Sequence, residues 1–581
     1  MREERHEVDV CVVGGGMAGL IAALAAARHG ARTALVQDRP VLGGNASSEI
    51  RMHICGAHGP NRRETGILEE LLLENQYRNP EPCYAIWDSV LYGAARYQPG
   101  LELFLNCSVQ GARRDGPRLA EVEGWQLTTE TRHTIRAKLF ADCSGDGILA
   151  PLSGADYRIG REARDEYDEP IEPPTADRKT MGLSCLLQAR EHERPMPFTP
   201  PAWAHRYDTP EQLRGRDTNL LRTNFWWIEV GGEQDSIHDA ERLRDELLRI
   251  VFGVWDYIKN RAPEREAFAC WALDWVGFLP GKRESRRYLG DHVLCQRDIE
   301  AEGRFPDLVA YGGWTMDDHF PAGFYHPRAG TIFHPAPSPF GIPYRALYSR
   351  NVENLFCAGR CHSATHAAMS ATRVMGTTSL MGQAVGTAAA LAAREGLTPR
   401  GVYERRLAEL QQTLLDDDCW LPWRARAIPE PARRATLRAA AGDPEPLRNG
   451  IDRPWEGREN AWSAPPGAAA EYTFEAELAL REARLVFDSD LDRSFRGQRA
   501  RNMPHRFPRG AEPWAPPSTL VRAFRLEAGD GRGGWRTVYR AENNYQRLVR
   551  APLNTSARAL RLIPERTWGA PLARVFAFDA R

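Results

Sequence analysis

The stretch HEVDVCVVGGGMAGLIAALAAARHGARTALVQDRPVLGGNASSE, residues 6–49, decides the fold of this 581-residue chain. Residues 8–13 are apolar and predict a buried strand. The small residues 17–29 predict a helix that Gly30 ends, and residues 32–36 predict a second strand. This succession of strand, helix and strand has the length of a βαβ unit.

Three glycines join the first strand to the helix in the pattern G-x-G-x-x-G. Gly14 permits a tight turn, Gly16 lets a pyrophosphate approach the backbone, and Gly19 lets the helix pack close to the sheet. The N–H groups at the start of such a helix bind phosphate. We therefore predict a dinucleotide site at this turn.

Two residues at the end of the second strand are candidates for the contact with the cofactor ribose. A carboxylate is usual at this position, but the chain has Gln37 there, followed by Asp38. A glutamine amide oxygen also accepts a hydrogen bond, without the charge. Either residue is a candidate.

Six residues after Gln37, the doublet Gly43-Gly44 is typical of flavoproteins rather than nicotinamide dehydrogenases. Here the chain resembles the flavoproteins with two dinucleotide-binding domains. More narrowly, it resembles a family of FAD-dependent oxidoreductases through RPVLGGNASSE at 39–49, DCSGDG at 142–147 and AGRCHSATH at 358–366. The resemblance covers roughly residues 6–395. It implies FAD as the cofactor, and the family has no single reaction.

The glycine turn and the resemblance together give a set of expected cofactor-binding residues. Where many flavoproteins end a late strand with Gly-Asp, this chain has Gly-Arg, as the narrower family does. The predicted set is Gly14, Gly16, Gly19, Gln37, Asp38, Arg39, Gly43, Gly44, Asn45, Ser48, Gly145, Asp146, Gly359, Arg360 and Gly382.

The predicted fold class is α/β, with a Rossmann-like FAD-binding domain, an inserted α+β substrate domain and a C-terminal all-β sandwich. We expect residues 1–154 to form the first part of the FAD-binding domain with a small β insertion. The aromatic-rich segment 155–340 would bind substrate, and 341–430 would complete the FAD-binding domain and add a helical connector. From residue 449 to 581, short alternating strands resemble a galactose-binding-like sandwich.

Composition narrows the choice of partners and compartment. The 76 basic and 77 acidic residues nearly cancel, so neither nucleic acid nor an anionic membrane is an expected partner. No run of about 18 apolar residues occurs, and we expect a cytoplasmic protein. The 11 cysteines lack C-x-x-C pairs, which favours free thiols. Nothing in the sequence indicates an oligomeric state.

Three histidines and one arginine are the catalytic candidates. His362 and His366 directly follow a cofactor strand and share a face if the segment is helical. His319 lies beside two carboxylates, and Arg373 is suited to bind an anionic or polar group. A metal held by His362 and His366 lacks a third ligand motif, so no metal site is expected.

With one dinucleotide motif, electrons reach the flavin from a substrate or leave to a diffusible acceptor. We expect two-electron oxidation or reduction of a small polar organic molecule, with a histidine as base. The favoured reacting group is an alcohol carbon of a sugar-like compound. Two alternatives stay open. One is thiol–disulfide chemistry at Cys357 and Cys361, and the other is a flavin-containing binding protein without catalysis.

Overall fold

The computed structural model describes residues 2–493 and 503–581. Its strands are β1 Arg2–Val13, β2 Thr33–Val36, β3 Leu101–Phe104, β4 Cys107–Asp115, β5 Arg118–Gln126, β6 Thr131–Asp142, β7 Tyr157–Arg158, β8 Leu183–Ser184, β9 Leu187–Glu191, β10 Glu229–Val230, β11 Trp271–Val276, β12 Gly281–Lys282, β13 Arg287–Tyr288, β14 Leu308–Gly312, β15 Met316–His319, β16 Thr331–His334, β17 Phe340–Pro343, β18 Leu355–Cys357, β19 Thr436–Ala439, β20 Trp462–Ala464, β21 Ala470–Phe487, β22 Val521–Gly529, β23 Trp535–Ala541, β24 Leu548–Thr567 and β25 Ala573–Ala580. Its α-helices are α1 Met17–Arg28, α2 Ile67–Arg78, α3 Tyr84–Arg96, α4 Leu149–Ser153, α5 Ala240–Asn260, α6 Gln296–Glu300, α7 His366–Thr372, α8 Met375–Glu395, α9 Pro399–Asp416 and α10 Glu430–Arg434.

Backbone proximity groups the described residues into two compact units. The first holds those within 1–57, 82–410 and 497–513, and the second those within 58–81, 411–496 and 514–581. Two segments thus belong to one unit although the residues on either side of them in the sequence belong to the other. Residues 58–81 group with the C-terminal strands, and the described part of 497–513 groups with the glycine-motif strands.

The first unit is built on a parallel sheet of order β3-β2-β1-β6, with β18 on the other side of β6. Val13 pairs with Val36 on one side and with Asp142 on the other, so the carboxyl ends of these strands meet at one edge. The amino-terminal half of β6 also forms an antiparallel sheet with β5 and β4. The predicted α/β fold with a small β insertion is confirmed.

Helices α1 and α8 cross in close contact beside the sheet. A Cβ atom on Gly382 would lie 2.1 Å from the carbonyl oxygen of Ala18, and one on Gly386 would lie 2.1 Å from that of Ala22. Only glycine permits this approach at the two positions.

In the inserted part of the first unit, the sheets β10-β8-β12 and β11-β9 contribute residues to the same core as α5. This helix buries an apolar face that includes Leu247, Val251 and Trp255. The aromatic residues Phe225 and Trp271 join this core, so they fill volume rather than line a ligand site.

The second unit is an antiparallel β-sandwich of strand order β20-β25-β21-β24-β22-β23, with β19 on β21. Leu73 of α2 lies in its core, which explains why residues 58–81 belong to it. In the same helix, Glu69 accepts hydrogen bonds from Ser489 and Arg493, both at 2.7 Å. Burial alone would raise the pKa of Glu69, but Arg493 and Arg63 lower it to about 2. Among the helices of the described residues, none is long and apolar enough to cross a membrane.

Candidate active site

The glycine turn lines a cleft of about 500 Å³ at the carboxyl ends of β1, β2 and β6, which we call the glycine cleft. Gly14 has a φ of +97°, and a Cβ atom there would lie 2.5 Å from the backbone of Cys143, so the turn requires glycine. A Cβ atom on Gly16 would meet no protein atom nearer than the Cα of Gly44, at 3.9 Å. A side chain at Gly16 would therefore enter the cleft.

The two candidate ribose-binding residues at the end of β2 make different contacts. The Gln37 side chain is buried, accepts a hydrogen bond from the Gly15 N–H at 2.7 Å and donates one to the Val41 carbonyl at 3.2 Å. It thus fixes the glycine turn. Asp38 is 62% exposed and lies 3.6 Å from Nε of Arg39. Asp38 is the carboxylate that remains available at the rim of the cleft.

The turn after β6 is held by a buried carboxylate. Asp142 accepts hydrogen bonds from the Leu149 N–H at 2.8 Å and from the Tyr288 hydroxyl at 2.7 Å. Farther along the turn, Asp146 pairs with Lys282 at 2.5 Å and with Arg360 at 3.1 Å. Burial would raise the pKa of Asp146, but these two cations lower it to about 2. Asp146 thus orients two cations on the wall of the cleft.

Most of the predicted cofactor residues come together around this cleft, and three do not. Gly19 lies against the carbonyl oxygen of Gly14, which a Cβ atom would approach to 1.8 Å. Gly382 lies at the crossing of α1 and α8, and the Ser48 N–H donates to Asp88 at 3.1 Å. Those that line the cleft are Gly14, Gly16, Gln37, Asp38, Arg39, Gly43, Gly44, Asn45, Gly145, Asp146, Gly359 and Arg360.

A second cavity, of about 820 Å³, adjoins the glycine cleft. Its walls include Trp226, Trp227 and Trp314, and we call it the tryptophan cavity. Met375 at the start of α8 lies on both walls, so this helix begins where the two spaces join. The residues shared by the two linings are Asn45, Ile50, Lys282, Arg360, Arg373 and Met375.

His319 lies on the wall of the tryptophan cavity between two carboxylates. Its Nδ1 is 2.6 Å from Glu229, and its Nε2 is 3.2 Å from Asp317. The ring of Trp226 packs edge-on against the imidazole at 5.4 Å. Burial would raise the pKa of Glu229, but Arg283 and His319 lower it. The two carboxylates therefore hold the imidazole in one orientation.

Arg373 lies where the glycine cleft and the tryptophan cavity meet. Its Nη2 donates to the Asp317 carboxylate at 3.2 Å. Its Nε atom is buried, and no described residue accepts a hydrogen bond from it. Nη1 of Arg360 is in the same situation. Arg360 and Arg373 thus line both spaces, and each has one buried donor atom without an acceptor among the described residues.

The structure does not place His362 and His366 in either cavity, which corrects their assignment as bases. Thr365 caps α7 by accepting from the Ala368 N–H, so the helix begins at His366 and the two histidines share no helical face. His362 bonds to the Gly359 carbonyl at 2.8 Å and to Thr372 at 3.0 Å, and burial lowers its pKa to about 4.

His366 is buried in an ionic cluster. Its Nδ1 is 2.8 Å from Glu284, and its Nε2 is 3.2 Å from Asp318. Although burial opposes the charge, these carboxylates raise its pKa well above the ordinary value. The ring is therefore a buried cation with a structural role.

Sequence reasoning missed several residues on the wall of the tryptophan cavity. Arg283 donates to the Trp226 carbonyl at 2.9 Å and pairs with Glu229 at 3.5 Å. Asn224 bonds to His53 at 2.9 Å. His505 and Arg506 also line the cavity, although they lie in the sequence between the sandwich strands β21 and β22. No local motif marks any of them as site residues.

The thiols and the candidate metal ligands lie elsewhere. All 11 cysteines are free, and burial raises the pKa of Cys357 and Cys361 well above the ordinary value. Neither thiol lines the two cavities, which disfavours thiolate chemistry there. Away from the site, Glu4, His6 and His133 bring potential metal-ligand atoms within 4.8 Å of one another, a group that the sequence did not suggest.

A βαβ glycine turn that opens on a cleft is typical of dinucleotide-binding proteins. A family model described as FAD dependent oxidoreductase matches residues 9–414, and the chain belongs to this family. It is therefore an FAD-dependent oxidoreductase, and the predicted class of enzyme and cofactor are confirmed.

Solved structures resemble the chain at low identity. A geranylgeranyl bacteriochlorophyll reductase-like protein from Thermoplasma acidophilum is 12% identical, with a TM-score of 0.31, over 72% of this chain and 85% of that one. A family 32 carbohydrate-binding module from Streptococcus pneumoniae EndoD is 14% identical, with a TM-score of 0.20, over 27% and 97% of the two chains. The family 32 module from C. perfringens NanJ, solved with galactose, is 8% identical, with a TM-score of 0.18, over 26% and 95%.

The residues around the glycine cleft fit FAD on three observations. The space beside Gly16 is open to a pyrophosphate, and α1 begins next to it at Met17. Asp38 lies at the end of β2, where a ribose hydroxyl is expected. The buried donor atoms of Arg360 and Arg373 lack protein acceptors among the described residues and can bind cofactor oxygens.

Proposed function

We propose that the enzyme oxidises or reduces a small polar organic molecule by two electrons, with the reacting carbon held where the tryptophan cavity meets the glycine cleft. The observation that carries this proposal is the wall shared by the two spaces, which includes Lys282, Arg360 and Arg373. When bound, FAD supplies the two-electron exchange. The protein supplies binding, orientation and proton transfer.

His319 is the proposed proton-transfer residue for an alcohol or carbonyl oxygen of the substrate. It lines the tryptophan cavity, and Glu229 holds its Nδ1. Because both ring nitrogens contact carboxylates, the substrate proton is exchanged with the Asp317–His319 pair, in which Asp317 also lines the cavity and lies 3.2 Å from Nε2. A positioned acid–base group of this kind contributes about 10²–10⁴-fold to a rate.

The walls of the tryptophan cavity suit a polar rather than an apolar ligand. Arginine, asparagine and histidine side chains share the lining with the tryptophans, which can pack against the carbon face of a ring. An alcohol carbon of a sugar-like compound or a hydroxy acid fits this mixture. Such a substrate presents hydroxyl groups to the polar side chains and a reacting C–H bond to the shared wall.

A substrate screen tests this proposal. The purified yellow protein is mixed under anaerobic conditions with polyols, sugars, hydroxy acids and amines, and loss of flavin absorbance is recorded. We expect bleaching by a hydroxyl compound, at the same rate in Cys361→Ser as in the parent. Bleaching by dithiols alone, abolished in Cys361→Ser, would favour thiol–disulfide chemistry and contradict the proposal.

A further inference from the structure

We infer that one end of the tryptophan cavity, formed by His53, Asn224, His505 and Arg506, binds an anionic group of the substrate. We call this part of the wall the His505 end. That the bound anion is the substrate rests on the proposed function. An anionic group at this end narrows the substrate to a hydroxy acid or a phosphorylated alcohol.

The tryptophan cavity carries more positive than negative charge among the described residues. The carboxylates that line it or pair with its cations are Asp146, Asp217, Glu229 and Asp317. A cavity with a surplus of one sign attracts and concentrates ligands of the other sign. The cations on its wall outnumber these carboxylates and are Arg216, Arg222, Lys282, Arg283, Arg360, Arg373 and Arg506.

Arg506 contributes a charge that no described carboxylate balances. Arg283 pairs with Glu229 at 3.5 Å and Arg373 with Asp317 at 3.2 Å, whereas the Arg506 guanidinium donates to Nε2 of His505 at 2.8 Å. Burial lowers the pKa of Arg506, and no carboxylate opposes this effect. Arginine nevertheless keeps its proton in proteins. An anion is the partner that would offset its partial burial.

His505 adds a donor beside this cation. Because its Nε2 accepts the hydrogen bond from Arg506, a neutral ring carries its proton on Nδ1. That Nδ1 atom is buried, and no described residue accepts from it. Burial, His53 and Arg506 lower the pKa of His505 to about 3, so the ring is neutral near pH 7. An oxygen atom of a ligand would satisfy this N–H group.

The anion at this end belongs to the substrate rather than to FAD. His53, Asn224, His505 and Arg506 line the tryptophan cavity and are not part of the lining of the glycine cleft. Cofactor phosphates in the glycine cleft therefore leave the charge of Arg506 unbalanced. A carboxylate and a phosphate share the oxygen geometry that a guanidinium binds.

Calorimetric titration of the FAD-bound full-length protein tests the inference without turnover. The probes are malonate, inorganic phosphate and the neutral diol 1,3-propanediol. We expect at least one anion to bind more tightly than the diol, and its Kd to rise with added salt. Tighter binding of malonate assigns a carboxylate, and tighter binding of phosphate assigns a phosphoryl group.

Variants locate the anion at the His505 end. Arg506→Gln removes the charge, and loss of a charged hydrogen bond raises Kd by about 10- to 100-fold. Arg509→Gln is the matched control, because Arg509 is exposed, lies three residues farther on and pairs with Glu193 at 2.8 Å. His505→Phe keeps a ring of similar shape and removes the donor, and it should weaken binding in the same direction.

The result that overturns the inference is equal anion affinity in Arg506→Gln and Arg509→Gln. The inference is also overturned if the parent protein binds the diol as tightly as it binds malonate and phosphate. FAD absorbance and circular dichroism of each variant verify that it is folded. If no compound bleaches the flavin, the proposed function fails while the titrations still decide whether the anion site exists.

Discussion

Glu172 gives a prediction whose magnitude can be worked out from the structure. Its side chain is 1% exposed, and neither carboxylate oxygen has a hydrogen-bond partner among the described residues. Burial raises the pKa of Glu172 to about 7, with a smaller opposing effect from His366. The ordinary value near 4.5 applies to the unfolded chain. The folded protein therefore binds a proton that the unfolded chain releases between these two pH values.

The sign of the effect follows from proton linkage. A pKa raised by folding gives stability that is present below pH 4.5 and is lost as the pH rises through 7. A difference of roughly 2.5 pKa units corresponds to about 3 kcal/mol above pH 7, at about 1.4 kcal/mol per unit. Glu172→Gln removes the charge and should stabilise the first unit by about 3 kcal/mol at pH 8. The gain should fall below about 1 kcal/mol at pH 5.

Unfolding in guanidinium chloride, followed by flavin fluorescence, measures this effect, because the glycine cleft belongs to the first unit. Glu264→Gln is the control, since Glu264 is exposed, and it should change the free energy of unfolding by less than about 0.5 kcal/mol. A gain of equal size at pH 5 and pH 8 would refute the proton-linkage reasoning. A loss of stability at pH 8 would show that the ionised carboxylate is favourable in the folded state.

Three further predictions concern the glycine turn, the buried histidine and the sandwich. Gly16→Leu should abolish FAD binding, seen as a colourless protein with unchanged circular dichroism, because the side chain enters the cleft. His366→Ala leaves Glu284 and Asp318 without their buried cation and should cost about 3–5 kcal/mol in the same flavin-fluorescence assay. Glu69→Gln should lower the hydrogen-exchange protection of β24 by about 3 kcal/mol at pH 7, because its pKa of about 2 provides stability above pH 4.5. That loss should shrink as the pH falls from 4.5 toward 2, and a loss independent of pH would contradict the ion-pair explanation.

The fold and the cofactor cleft could be predicted because their chemistry is local in sequence. Gly14 and Gly16 occupy consecutive positions of one turn, and the turn constrains the strand before it and the helix after it. The sequence could not decide between Gln37 and Asp38. The choice depends on whether the amide reaches the Gly15 N–H across the turn, which only the folded structure shows.

The candidate catalytic residues are harder to predict because their positions depend on helix boundaries and distant contacts. The four-residue spacing of His362 and His366 places them on one face only if the helix starts before His362, and the cap at Thr365 starts it later. His505 and Arg506 line a cavity whose other residues lie between Asn45 and Met375, far earlier in the chain. His319 was predicted from its neighbouring carboxylates, and the structure does place it on that cavity.

Stopped-flow reduction of bound FAD, with whichever substrate bleaches the parent enzyme, tests the central claim most directly. The variants are His319→Gln, on the wall of the tryptophan cavity, and His362→Gln, which is buried and lines neither cavity. We expect His319→Gln to reduce the flavin about 10²–10⁴-fold more slowly than the parent and His362→Gln to stay within a few-fold of it. Equal rates in both variants, or a larger loss in His362→Gln, would contradict the assignment of the reaction to the junction of the two cavities.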